Sequence, residues 1–168
     1  MEFKELNAND KLMTQVANIY INSWLINYAD ILPKWYLDKM DLDACIDRFN
    51  SYVEKENQGI ILAKEGEKVL GFSAYMPCDR VDNSLLLEML HINPMFQGKK
   101  VGKALITRTW DKAMGLGFDK MSISFMKKNN RAGEIYKHLG AEYLYDYYEE
   151  LDGAEVLSEL LVWRKYTF

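Results

Sequence analysis

Ile92-Asn93-Pro94-Met95-Phe96-Gln97-Gly98-Lys99-Lys100-Val101-Gly102-Lys103-Ala104-Leu105 passes from strand through turn to helix. The apolar run Leu85–Ile92 leads into it, Pro94 marks the turn, and Val101, Ala104, Leu105 and Trp110 then recur at helical spacing. A helix that starts at such a junction offers unpartnered backbone N–H groups and the positive end of its dipole, and both attract a phosphate. Gly98 and Gly102 let an anion approach the backbone, and Lys99, Lys100 and Lys103 concentrate positive charge at the same place. Residues 89–133 hold nine Lys or Arg against two acids, a net of +7; the whole chain is −4, so the remainder carries −11. A basic segment in an acidic protein points to a polyanionic ligand.

Spacing separates the phosphate loops that this stretch could form. A P-loop needs four residues between its first Gly and a Gly-Lys pair, then Ser or Thr for magnesium. Here three residues separate Gly98 from Gly102, and Ala104 follows Lys103. A dinucleotide fingerprint needs glycines at the first, third and sixth positions, where this chain has Gly98, Lys100 and Lys103. What remains is Gln97, two residues, Lys100, one residue and Gly102, with a glycine turn that merely starts a helix as the plain alternative. At these residues the chain resembles the GNAT superfamily of acetyl-coenzyme A dependent N-acetyltransferases, whose pyrophosphate loop reads Gln or Arg, x, x, Gly, x, Gly or Ala. Lys100 stands where the family has the first Gly, which keeps a backbone N–H there and leads us to expect a different backbone angle. A second segment, Asn129-Asn130-Arg131-Ala132 followed by Tyr136 and Leu139-Gly140, resembles the family's other coenzyme A segment, in the right order and at the right distance. The resemblance covers the second half of the chain well and the first half loosely.

The rest of the sequence is that of an ordinary globular chain. Its 168 residues suit one domain, 1–168, and 49% hydrophobic residues are enough for a sizeable core. No run reaches the ~18 apolar residues of a membrane span, and the N-terminus has no signal-peptide pattern, so a cytoplasmic location is expected. Cys45 and Cys78 are too few and too separated for a disulfide framework or zinc site, and with only His91 and His138 no metal is expected. Both cysteines read as reduced core residues. Residues 2–6 alternate as a short strand; 10–28 form an amphipathic helix; 35–56 form one or two more helices. Strands follow at 60–63, 69–75 and 85–92, a helix at 99–116, a strand at 121–126 and a helix at 130–139. A hairpin of 142–151 and 155–166 closes around Asp152-Gly153. Periodicity supports an α+β domain; the resemblance implies the GNAT α/β arrangement, a mixed central sheet of about six to seven strands with helices on both faces.

The chemistry implied by the resemblance is attack of an amine on the thioester of acetyl-CoA in a ternary complex. It assigns the backbone of Leu90 and Ile92 to the pantetheine arm and the acetyl carbonyl. Gln97, Gly98, Lys99, Lys100, Val101, Gly102 and Lys103 go to the pyrophosphate, Asn129 and Arg131 to the coenzyme, and Tyr136 to the departing sulfur as general acid. Glu88, a carboxylate inside an apolar strand, is the candidate base. Strand alternation puts it on one face with Leu86, Leu90 and Ile92, with His91 packed on the other; the glutamate of some family members falls on Leu86 instead. Trp24 and Tyr28 are candidates for the acceptor wall or, more plainly, core packing. Tyr147 belongs to an aromatic and acidic run, 143–152, that suits a cationic amine or is simply a solvated hairpin. The competing reading is a non-catalytic acetyl-CoA sensor. Nucleic acid is a poorer partner, since the charges cluster at one loop. The apolar final strand, with Leu160, Leu161, Val162 and Trp163, would permit a homodimer of the family's kind.

Overall fold

The computed structural model describes residues 1–166, so the last two residues of the expected domain lie outside the described residues. The elements run β1 (Glu2–Glu5), α1 (Met13–Asn27), α2 (Lys34–Leu37), α3 (Leu42–Val53), β2 (Gly59–Glu65), β3 (Lys68–Pro77) and β4 (Ser84–Ile92). Then come α4 (Val101–Gly115), β5 (Lys120–Met126), α5 (Asn130–His138), β6 (Glu142–Leu151) and β7 (Ala154–Trp163). One seven-stranded mixed sheet, in the order β1-β2-β3-β4-β5-β7-β6, carries α1 and α3 on one face and α4 and α5 on the other. Among the described residues no helix is long and apolar enough to cross a membrane.

Local chemistry sets these boundaries. Helix α1 starts at Met13 because the Asp10 carboxylate accepts from Leu12 N and pairs with Lys4, which holds residues 10–12 in a turn. Helix α3 is capped by Asp41, whose carboxylate accepts from Ala44 N at 2.8 Å. Val16, Tyr20 and Phe49 from these helices meet Ile60, Leu62 and Phe72 of the sheet in one core. On the other face Val101 and Leu105 of α4 pack on Ile61 and Leu85, while Ile106 and Tyr136 join Leu87, Ile123 and Leu161. β4 and β5 are parallel, and α4 is the crossover between them.

Two expectations need correction. The final strand β7 is not at an edge but lies between β5 and β6, so Leu160–Trp163 are apolar because both faces of that strand are covered within the chain. β1 and β6 are the edges of the sheet, and the residues expected to permit a homodimer are covered within the chain. Cys45 lies in the core as expected, whereas Cys78 is only half-buried, in the β3–β4 loop.

Candidate active site

The site is made by a failure of pairing. β4 pairs with β5 only from Ser84–Leu87 against Lys120–Ile123, after which the two strands diverge. On its other side β4 carries a bulge: Leu87 is opposite Tyr75 and Met89 is opposite Ala74, so Glu88 is the extra residue. Asn93 N donates to Leu70 O at 2.9 Å. By alternation along an antiparallel pair, His91 and Met89 also spend their backbone groups on β3, which leaves the N–H and C=O of Leu90 and Ile92 facing the gap toward β5.

A cleft of about 570 Å³ occupies this gap and runs to the N-termini of α4 and α5. Gln97, Gly98, Lys100, Val101, Gly102 and Lys103 line it from the loop, and Asn129, Arg131 and Tyr136 from α5 and its cap. Lys99 does not; its ammonium lies over the Phe96 ring at 4.9 Å. Lys100 adopts φ 63°, ψ 10° as the residue before α4. That is the left-handed conformation that favours glycine, so the departure at this position lies in the side chain and not, as expected, in the backbone angle. Cations near a helix N-terminus oppose its dipole. Lys100 and Lys103 at α4 and Arg131 in the first turn of α5 accept that cost together, and all three face one cleft.

Asn129 caps α5, its Oδ1 accepting from Ala132 N at 3.3 Å, and its side chain also hydrogen-bonds the Tyr28 hydroxyl. Tyr28 lines the cleft and stacks on Trp24 at 4.6 Å. Tyr136 is buried against Phe125 and Trp163, 5.7 and 6.1 Å between ring centroids. Burial, with the neighbouring Tyr28, pushes its phenol well above the ordinary value near 10, so it keeps its proton. α5 comes this close to β5 because residue 133 is glycine: a Cβ there would sit 2.7 Å from the Phe125 ring.

Besides Lys99, three candidates lie apart from the cleft. Glu88 shares the α3 face with Leu86 but not with Leu90 and Ile92, because the bulge at Glu88 reverses the alternation beyond it. Its carboxylate interacts with Arg48 and Tyr52, and Oε2 is buried without a hydrogen-bond partner. Trp24 packs among Tyr20, Tyr28 and Tyr36. Tyr147 bonds Ser124 Oγ at 2.5 Å beneath the Arg80 guanidinium, 3.9 Å from the ring centre. Conversely, His91 is packed as expected, yet on the same side of the sheet as Glu88, and together with Ser23 and Asn27 it lines the cleft. Sequence reasoning missed these three. A bulge is invisible in periodicity, and only the spacing of Ser23 and Asn27, one turn apart on α1, hinted at a shared face.

The gap, its two free backbone edges and a cationic loop between helix termini can seat a long molecule with an anionic end. Residues 18–141 match the model of the acetyltransferase (GNAT) family. The chain belongs to that family and is an acyltransferase of the N-acetyltransferase type. No curated protein matches it by sequence. Solved structures share its fold. A GCN5-related N-acetyltransferase from Rhodopseudomonas palustris has a TM-score of 0.75 and 16% identity, over 96% of this chain and 93% of that one. PaiA N-acetyltransferase from Thermoplasma acidophilum, solved in complex with coenzyme A, has a TM-score of 0.70 and 17% identity, over 95% and 98%. YncA, a putative acetyltransferase from Salmonella typhimurium solved with its cofactor acetyl-CoA, has a TM-score of 0.71 and 15% identity, over 100% and 97%.

Proposed function

We propose that the protein transfers the acetyl group of acetyl-CoA to a primary amine of a small molecule or peptide by direct attack in a ternary complex. The observation that carries this is the gap itself: Leu90 and Ile92 present backbone donors and acceptors along it, and it ends at Lys100, Lys103 and Arg131. Those residues fit acetyl-CoA, an extended amide-bearing arm with phosphates at one end. When bound it supplies an acetyl group already activated as a thioester. The helix N-termini and the three cations would hold the phosphates, and the backbone of Leu90 and Ile92 would orient the arm.

An alkyl ammonium has a pKa near ~10.4, so the amine loses a proton before it attacks. Backbone N–H from Leu90 or Ile92 stabilises the charge that develops on the carbonyl oxygen. Tyr136, protonated and at the cleft wall, gives its proton to the departing sulfur. Glu88 reaches the amine only through a water, since it does not line the cleft.

Thiol release from acetyl-CoA against a panel of amines tests the reading. Release should require an amine, and Tyr136→Phe should lower kcat by about 10²-fold while the Kd for acetyl-CoA stays within a factor of about two. Amine-independent release would overturn transfer to an amine, and full activity in the Phe variant would remove Tyr136 as the acid.

A further inference from the structure

His91, Ser23 and Asn27 form a hydrogen-bonded chain in the cleft wall that the mechanism above leaves unused. Ser23 Oγ accepts from Asn27 Nδ2 at 2.9 Å and lies 2.8 Å from His91 Nδ1. Ser23 and His91 are 5% and 8% exposed, while Asn27 stands in solvent at the outer end. The Ser23 oxygen already receives the Asn27 hydrogen, and among the described residues its own hydrogen has His91 Nδ1 as the one acceptor in reach. Nδ1 is therefore the acceptor, and a neutral imidazole then carries its proton on Nε2. Burial holds the ring neutral, lowering its pKa to about 4. Tyr20 and Phe72 grip the ring at 5.2 and 5.4 Å between centroids, which sets its plane. The Nε2–H finds no hydrogen-bond partner among the described residues. It is not among the buried side-chain atoms left without a partner, so this donor is open to the cleft that the side chain lines.

Its position says which reactant it meets. His91, Ser23 and Asn27 stand on the α1 side of β4, whereas the cations that suit the coenzyme stand at α4 and α5 on the opposite side. We infer that His91 donates through Nε2–H to a carbonyl oxygen of the acceptor, so that the substrate is an amine with a carbonyl beside it, as in an amino-acid amide or a peptide N-terminus, in preference to a bare alkylamine or polyamine. This rests on the transferase reading above. A site built to donate one hydrogen bond rejects an analogue that cannot receive it far more strongly than an apolar pocket rejects a missing methylene.

The test compares kcat/KM, expressed per unprotonated amine because an amine beside a carbonyl titrates near ~8 and an alkylamine near ~10.4, for alaninamide and sec-butylamine, close in size and differing in the carbonyl, with acetyl-CoA as donor. The wild type should favour alaninamide by roughly 100-fold or more. His91→Phe should bring the ratio near one, His91→Gln, which keeps an N–H donor, should retain most of it, and Ser23→Ala should reduce it by roughly tenfold. KM for acetyl-CoA should be unchanged in all three. A wild type that does not favour alaninamide overturns the inference without recourse to any variant, as does an unchanged ratio in His91→Phe. Absence of transfer to any amine overturns the transferase reading and this inference together; transfer without preference overturns this inference alone.

Discussion

His91 shows how one buried side chain ties the site to stability. Its pKa is about 4 in the fold against an ordinary 6.5, because burial disfavours the imidazolium. Above pH 6.5 the ring is neutral in both states and contributes no pH dependence. As pH falls below 6.5 the unfolded chain takes up a proton that the folded chain refuses, so stability falls until the folded ring also titrates near pH 4. The loss over that window is about 3 kcal/mol. Chemical denaturation from pH 7 down to pH 4 should show it, and His91→Gln should flatten that limb; an unchanged slope in the variant would place the acid sensitivity elsewhere. The same residue measures what the sequence withheld. That Tyr136, Asn129 and the loop 97–103 lie at one cleft was legible because their spacing is local, with Lys99 the exception. The partners of His91 are 68 positions away in sequence at Ser23, and the face it occupies follows from the bulge at Glu88.

At the scale of elements, strands and turns were readable because their signals are short-range. Asp152-Gly153 marks the β6–β7 turn, and the structure gives both residues positive φ, 47° and 88°, the backbone of a type I′ hairpin turn. An added Cβ at Gly153 would meet nothing nearer than Trp35 at 4.0 Å, so the cost of Gly153→Ala is conformational. It should be about 1 kcal/mol, read as a melting temperature lower by about 3 °C with the amine-acetylation rate retained. An unchanged melting temperature would mean the turn tolerates another backbone. Two features of this scale were not readable. The single turn of 3-10 helix at Pro94–Phe96 rests on the Asn93 side chain accepting from Met95 N, a local bond that competes with other turn forms. The interior place of β7 follows from which strands pair, and that is decided by contacts far apart in sequence.

Taken whole, the molecule carries a local excess of positive charge in the segment that starts two helices and a net negative charge elsewhere, an arrangement that the distribution of charge along the sequence had already outlined. Acetyl-CoA should therefore bind more weakly as salt rises, since surface attraction is screened over about 8 Å at physiological ionic strength. Added at roughly a hundredfold excess over its Kd, it should also stabilise the fold by about 2.7 kcal/mol. Thermal melts with acetyl-CoA across a salt series check both; a shift independent of salt would argue that Lys100, Lys103 and Arg131 do not meet the phosphates. The fold class was legible because seven short periodic segments and two helix-starting loops each spoke for themselves. The wall formed by Ser23, Asn27 and His91 was less so, since α1 and β4 meet only in three dimensions.

The brief pairing of β4 with β5 has one more consequence. Beyond Leu87 and Ile123 these strands share no ladder, so the amides of Leu90 and Ile92 have solvent where a neighbouring strand would be. They should trade hydrogen for deuterium faster than those of Met89 and His91, which β3 holds, although all four lie within the same strand. Saturation with coenzyme should slow the first pair and leave the second as it was. An alternating footprint of this kind would record, residue by residue, a molecule lying where the sheet is missing a strand.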